Sequence, residues 1–158
     1  MNAKTPARVE PLYFDDFSAG RRFTSATKEV TTREIKAFAR EFDPQPFHLD
    51  EEAAKATIFK ALAASGWHTM AMSMRLMVDG GLPVAGGIVG AGGEISWPRP
   101  TRPGDVIQVV SEVVEAVASR SKPDRGLVTM RCETLNQDGE VVQVLIAKLI
   151  VPKRPVPT

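Results

Sequence analysis

Residues 65–78 read SGWHTMAMSMRLMV and predict the long helix around which the fold is built. Ser65 is a favourable N-cap residue, and Gly80 and Gly81 end the helical pattern. One apolar stripe at helical spacing consists of Met70, Met74, Met77 and Val78. We therefore expect residues 65–78 to form a buried central helix, its methionines filling the core.

Five segments rich in β-branched and apolar residues predict strands: 22–30, 88–97, 106–118, 127–136 and 140–151. The run 136–139 (NQDG) is typical of a hairpin turn, and we expect the last four strands to form an antiparallel meander. Alternation through residues 128–134 indicates that one sheet face is covered, and helix 65–78 is the obvious cover. The sequence therefore predicts an α+β fold, a sheet wrapped around one helix.

Residues 41–50 read EFDPQPFHLD and predict a proline-braced loop between two helices. Thr31, with Glu34 three residues on, is typical of the capping box of the first helix, and Asp50 of the N-cap of the second. Pro44 ends the first helix at Asp43 because the residue before a proline avoids the α conformation. A carboxylate and an imidazole held in such a loop can share proton transfer near neutral pH, so Asp43 and His48 are candidate catalytic residues that need no metal.

Each of these candidates also has a purely structural interpretation. An Asp before Pro is most often a turn or helix terminator, and a lone His is often a satisfied structural residue. Gly66 leaves a backbone N–H open at a helix N-terminus, where a carbonyl oxygen could bind, but it could equally be a close-packing glycine. His68 either supplements His48 or is a neutral hydrogen-bonding residue.

Length, charge and composition argue against several classes of function. The chain has 158 residues, which fits one domain, and its net charge of +1 does not favour binding to nucleic acid or an anionic membrane. A single Cys132 and two histidines leave too few ligands for an ordinary structural zinc site, and we expect no cofactor. No apolar run is long enough to span a bilayer and the N-terminus lacks a signal-peptide core, so we expect a soluble cytoplasmic protein.

We expect flexible tails at 1–11 and 152–158 around one domain at 12–151.

Three motifs resemble those of the MaoC-like enoyl-CoA hydratase/dehydratase family. Residues 43–50 (DPQPFHLD) resemble the hydratase motif D-x-N-P-(aliphatic)-H, with Gln45 in place of Asn and Phe47 in place of the aliphatic residue. Ser65, Gly66 and Trp67 match the segment that opens the family's long helix. Residues 97–105 (WPRPTRPGD) resemble the family's F-x-x-P…G-D strand ending, and the resemblance spans about residues 12–151.

The resemblance implies the hot-dog fold and reversible hydration of a trans-2-enoyl-CoA to an (R)-3-hydroxyacyl-CoA. It gives Asp43 and His48 the catalytic roles, in an order that the sequence leaves open, and makes Gly66, with Ser65 and Trp67, the oxyanion and substrate-binding site. It also implies a homodimer or higher homo-oligomer, an acyl-CoA substrate and no metal. A helix hydroxyl often steadies the acid in this family, and Ser73 lies one residue away from that place.

Two other functions fit the same fold. Many hot-dog acyl-CoA thioesterases carry a catalytic carboxylate on the central helix, but residues 65–78 contain none and Asp79 comes only at the far end. The second alternative is a non-catalytic acyl-thioester-binding or dimer-scaffold protein. The presence of both Asp43 and His48 argues against it.

Overall fold

A computed structural model describes residues 9–158. Its strands are β1 (Arg22–Glu29), β2 (Val89–Ser96), β3 (Val106–Ala118), β4 (Arg125–Leu135) and β5 (Val141–Pro152). Its α-helices are α1 (Thr32–Phe42), α2 (Pro46–Leu49), α3 (Glu51–Lys55) and α4 (Gly66–Leu76). A 3-10 turn covers Phe14–Asp16 and a π-helical turn covers Met77–Gly81. None of the helices in residues 9–158 is long and apolar enough to cross a membrane.

The five strands of residues 9–158 form one antiparallel sheet in the order β1-β3-β4-β5-β2. Strands β3, β4 and β5 form the predicted meander, but β2 pairs with β5 and not with β3, so the predicted four-strand meander is wrong at that step. The connection after β2 carries Pro98, Pro100 and Pro103 and is too long and stiff for a hairpin. It leads the chain across the sheet, and β2 becomes an edge strand.

Helix α4 covers one face of this sheet, as predicted. The alternating residues Val128, Met130, Cys132 and Thr134 are all buried on the covered face. Thr134 contacts the helix directly, since its Oγ1 lies 2.7 Å from Ser73 Oγ. The predicted α+β fold, a sheet wrapped around one helix, is therefore confirmed.

The buried face of α4 differs from the predicted stripe. It consists of His68, Thr69, Met72, Ser73 and Leu76. Met70 and Met74 are half-buried at its side. In the π-helical turn that follows the helix, Met77 is buried, as predicted, whereas Val78 is exposed. Hydrophobicity alone misplaced the buried face because two buried polar groups of the sheet, the Thr134 hydroxyl and the Gln143 amide, form hydrogen bonds with Ser73 of α4.

The helices before and after the candidate residues, α1 and α3, have the predicted N-caps. Glu34 N–H donates to Thr31 Oγ1 and Thr31 N–H donates to Glu34 Oε2, which confirms the capping box. Ala53 N–H donates to Asp50 Oδ1 at 2.8 Å, which confirms the second cap. Pro46 opens a four-residue helix, so the stretch 41–50 is not wholly a loop.

Residues near both ends of the described region, 9–158, contact the rest of the domain. Most of the predicted N-terminal tail, residues 1–8, lies outside the described residues, and Leu12 pairs with Val84. At the other end, Lys153 N–H donates to Asp124 O at 2.8 Å and Arg154 donates to Asp16 Oδ2 at 2.9 Å. Ordered contacts thus continue a few residues past the predicted domain boundary at 151.

Candidate active site

Asp43 and His48 meet because α1 ends where α2 begins. Asp43 is the C-cap residue of α1, and its N–H still donates to Ala39 O at 2.9 Å. Pro44 keeps Asp43 out of the α conformation, with φ −150° and ψ 67°, so α1 ends there, and Pro46 then starts the helix that carries His48. As a result, His48 Nε2 lies 3.3 Å from Asp43 Oδ2, with the imidazole buried and the carboxylate largely so.

The other ring nitrogen fixes the tautomer of His48. Nδ1 lies 2.6 Å from Ala63 O, and a carbonyl oxygen can only accept, so Nδ1 carries the hydrogen. In the neutral ring, Nε2 therefore has a free lone pair that points towards the Asp43 carboxylate. The pair can take up one proton and hold it between the two groups.

Three neighbours act on the Asp43 carboxylate. Burial raises its pKa, but the Ser65 hydroxyl, the Gln45 amide and the His48 imidazole together outweigh burial and lower the pKa below its ordinary value. Gln45 Nε2 donates to Asp43 Oδ1 at 2.6 Å, whereas Ser65 Oγ makes no hydrogen bond of good geometry within residues 9–158 and acts only by proximity. Asp43 is thus ionised at neutral pH, and Gln45 leaves Oδ2 free for His48.

The acceptor for His48 is held in place by the loop 56–65, whose conformation the sequence did not decide. Ala63 N–H donates to Phe47 O at 3.1 Å, and Ala64 N–H donates to Thr101 O at 2.9 Å. The Arg102 guanidinium donates to three carbonyls of the loop, those of Phe59, Ala61 and Leu62. The motif 97–105 therefore supports the site structurally, a role that sequence reasoning missed because its partners lie about 40 residues away along the chain.

A cavity of about 480 Å³ brings the predicted site residues together. Asp43, His48, Ser65, Gly66 and Trp67 all line it. Its remaining walls include Ile58 and Phe59 from loop 56–65, Trp97 and Thr101 from loop 97–101, Phe47 from α2 and Thr69 from α4. Gly66 is the first residue of α4, where an N–H has no intrahelical acceptor, and no bond from this N–H is found within the described chain. We call the cavity of about 480 Å³ the dyad cavity, after the Asp43–His48 pair that lines it.

Two residues that the sequence left open lie outside this cavity. Ser73 donates to Thr69 O at 2.8 Å and contacts Thr134, so its hydroxyl belongs to the helix–sheet contact. His68 is buried and stacks on Phe38, with ring centroids 4.8 Å apart, and its Nδ1 has no partner within residues 9–158. No group of three or more His, Cys, Asp and Glu side chains in residues 9–158 is arranged to hold a metal ion.

We expect His68 to make the protein less stable in mild acid. Burial lowers the pKa of His68, so the unfolded chain binds a proton that the folded chain resists. The contribution of neutral His68 to the free energy of unfolding is fully present above the ordinary histidine pKa, about 6.5. This contribution is lost as the pH falls towards the lower pKa that His68 has in the folded protein. The free energy of unfolding, measured in urea between pH 7.5 and 5, should fall less steeply in His68→Phe, which keeps the stack on Phe38. Equal slopes for both proteins would contradict this.

Comparison with known proteins shows which family the chain is similar to. Residues 17–134 match the model of the MaoC like domain. The MaoC-like dehydratase of Rhodospirillum rubrum has a crystal structure that superposes with a TM-score of 0.90 at 57% identity, over 92% of this chain and 99% of that one. The chain belongs to the MaoC-like family. Its fold is therefore the hot-dog fold, as the sequence motifs indicated.

Two curated relatives of this MaoC-like chain carry names of activities. The 3-hydroxybutyryl-CoA dehydratase of Methylorubrum extorquens is 30% identical over 144 residues, covering 90% of this chain and 86% of that protein. The (R)-specific enoyl-CoA hydratase of R. rubrum is 29% identical over 143 residues, covering 90% of this chain and 93% of that protein. The chain is thus a MaoC-like hydratase/dehydratase-type domain.

Proposed function

We propose that this protein catalyses the reversible hydration of a trans-2-enoyl-CoA to an (R)-3-hydroxyacyl-CoA. The observation that carries the proposal is the Asp43–His48 pair, with Nδ1 held by Ala63 O and Nε2 facing the carboxylate, in one cavity with the N-terminus of α4. The named relatives support the reaction class and its stereochemistry.

The pair can carry the one proton that hydration moves. Water attacks the β-carbon, a C–O bond forms, one O–H bond breaks, and the proton passes to His48 Nε2 while Asp43 accepts a hydrogen bond from the water. The lowered pKa of Asp43 makes its carboxylate a poor place for the proton but a good stabiliser of the imidazolium 3.3 Å away. The electron pair of the double bond moves towards the thioester, and the same proton then bonds to the α-carbon and restores the neutral imidazole.

The start of α4 supplies the other half of the site. In the reaction proposed above, negative charge develops on the thioester oxygen, and the unpartnered Gly66 N–H at the positive end of α4 would donate to it. Ser65 and Trp67 flank this donor in the dyad cavity and would contact the thioester.

One assay separates this reaction from the two alternatives. With crotonyl-CoA as substrate, hydration removes the enoyl absorbance, whereas thioester hydrolysis releases a free thiol. Thioesterase chemistry is disfavoured because α4 carries no carboxylate and Asp79, beyond its end, is exposed and paired with Arg75 at 2.6 Å. Binding of the thioester with neither change would indicate a non-catalytic protein.

We also propose that a second copy of this chain covers strand β2. This strand is an edge strand with almost every residue exposed, and an open edge invites pairing with another strand. Beside it lies an apolar groove of about 350 Å³ between β2, β5 and the methionines of α4. Trp67 lines both this groove and the dyad cavity, so a copy seated on β2 would also border the site.

The dimer is tested at Gly90. Its φ is not positive and an added Cβ meets nothing within 4 Å, so Gly90→Lys should fold as a single chain but place a charge where the second copy would lie. Sedimentation at micromolar concentration should give twice 17.2 kDa for the native protein and the single mass for Gly90→Lys. Val114→Lys, exposed on β3, is the matched control and should stay dimeric. A native protein that sediments as one chain would contradict the proposal.

A further inference from the structure

A buried glutamine stands out among the apolar residues of β5. Gln143 is only 1% exposed in a strand that reads VVQVLIAKLIVP. A buried amide destabilises a core unless its donors and acceptor are satisfied. Gln143 therefore needs partners that an aliphatic residue in the same place would not.

Those partners connect the sheet to the dyad cavity. Gln143 Oε1 accepts from Trp97 Nε1–H at 3.0 Å, and its Nε2 lies 3.4 Å from both Ser73 Oγ and Met70 Sδ. On β4, Thr134 is the register partner of Gln143 and contacts Ser73 at 2.7 Å. Ser73 and Met70 on α4 thus hold the NH₂ side of the amide, and its oxygen accepts from the indole.

The indole in turn lies against the first residue of α4. A Cβ built on Gly66 would come within 2.6 Å of Trp97 Cε2, so the ring packs directly on the glycine backbone. Trp97 is 38% exposed, lines the dyad cavity, and meets Trp67 edge-on with ring centroids 5.3 Å apart. Its indole therefore forms a wall of the cavity next to the open Gly66 N–H.

We infer that Gln143 is a positioning residue, which fixes the Trp97 indole as the wall beside the Gly66 N–H and so sets the place of the thioester. The expected effect on kcat/KM rests on the proposed hydration, whereas the expected effect on the Trp97 indole does not. Without the hydrogen bond, the ring is held only by packing and can rotate away from Gly66. A misplacement of about 1 Å in a reacting group can cost on the order of 10²-fold in rate.

The first experiment measures how fast the Trp97 indole N–H exchanges with solvent. ¹⁵N-labelled protein has two indole N–H signals, from Trp67 and Trp97, and Trp67→Phe assigns them. We expect Trp97 Nε1–H to exchange with solvent at least tenfold faster in Gln143→Met, which matches the length of glutamine but has no acceptor of comparable strength. Gln143→Glu keeps an oxygen acceptor and should restore slow exchange. Unchanged exchange in Gln143→Met overturns the inference.

The second readout is kinetic and separates positioning from a general loss of packing. We expect kcat/KM for crotonyl-CoA to fall about tenfold in Gln143→Met and in Trp97→Phe, with no further fall in the double variant, because both changes remove the same hydrogen bond. The inference is overturned if the loss in the double variant is the product of the two single losses. It is also overturned if folded Gln143→Met keeps the native kcat/KM. If the native protein does not hydrate crotonyl-CoA, the proposed reaction is wrong and the positioning role is decided by indole exchange alone.

Discussion

We expect Asp43→Asn to lower the rate of the proposed hydration of crotonyl-CoA by about 10²–10⁴-fold, the range typical of losing a general acid–base group. The asparagine has the shape of the aspartate and keeps both contacts: its oxygen accepts from Gln45 Nε2, and its amide can donate to His48 Nε2. That donation occupies the lone pair that should receive the proton. The protein therefore stays folded while the pair loses its function, and kcat should fall while the unfolding midpoint in urea hardly changes.

Two further variants complete this test. His48→Asn can still donate to Ala63 O from its amide but has no nitrogen in the place of Nε2, so we expect a loss of similar size. Asp50→Asn is the matched control, because the same chemical change falls on an exposed N-cap outside the cavity, where Asn caps as well as Asp. Native turnover in folded Asp43→Asn, or an equal loss in Asp50→Asn, would refute the assignment of the pair.

If Gly66 is the proposed oxyanion donor, removing its N–H without adding atoms should lower kcat by about 10²–10³-fold, the effect of one oxyanion donor. Substitution by alanine or proline cannot test this, since any Cβ at Gly66 would lie 2.6 Å from the Trp97 ring. Glycolic acid at position 66, introduced by semisynthesis, replaces the amide by an ester and deletes only the N–H. Folding should survive because this N–H has no intrahelical acceptor.

The matched control is the corresponding ester at Trp67, which deletes the next free N–H of the same helix turn. If Gly66 is the donor, only the first ester lowers kcat, and circular dichroism shows helix α4 intact in both. A loss at Trp67 alone would assign the donor to Trp67. Native kcat in both esters would remove the helix N-terminus from the mechanism.

The sequence by itself determined the features that depend on neighbours along the chain. The two caps at Thr31 and Asp50 follow from contacts three residues apart. The alternation through 128–134 indicated the covered face of β4, and the spacing of Asp43, Pro44 and His48 placed the two candidate groups in one short segment after α1. Local propensity and periodicity are properties of short segments, so a sequence can be read for them directly.

Only the tertiary structure decided what depends on contacts between distant segments. The place of β2 beside β5 came from the route of the proline-rich connection. The buried face of α4 came from one hydroxyl and one amide on the sheet, those of Thr134 and Gln143. The tautomer of His48 depends on Ala63, which Arg102 helps to hold, and the wall of the cavity depends on Gln143 and Trp97, 46 residues apart. Such hydrogen bonds have no local periodicity, because each requires two surfaces to meet first, and the fold alone brings those surfaces together.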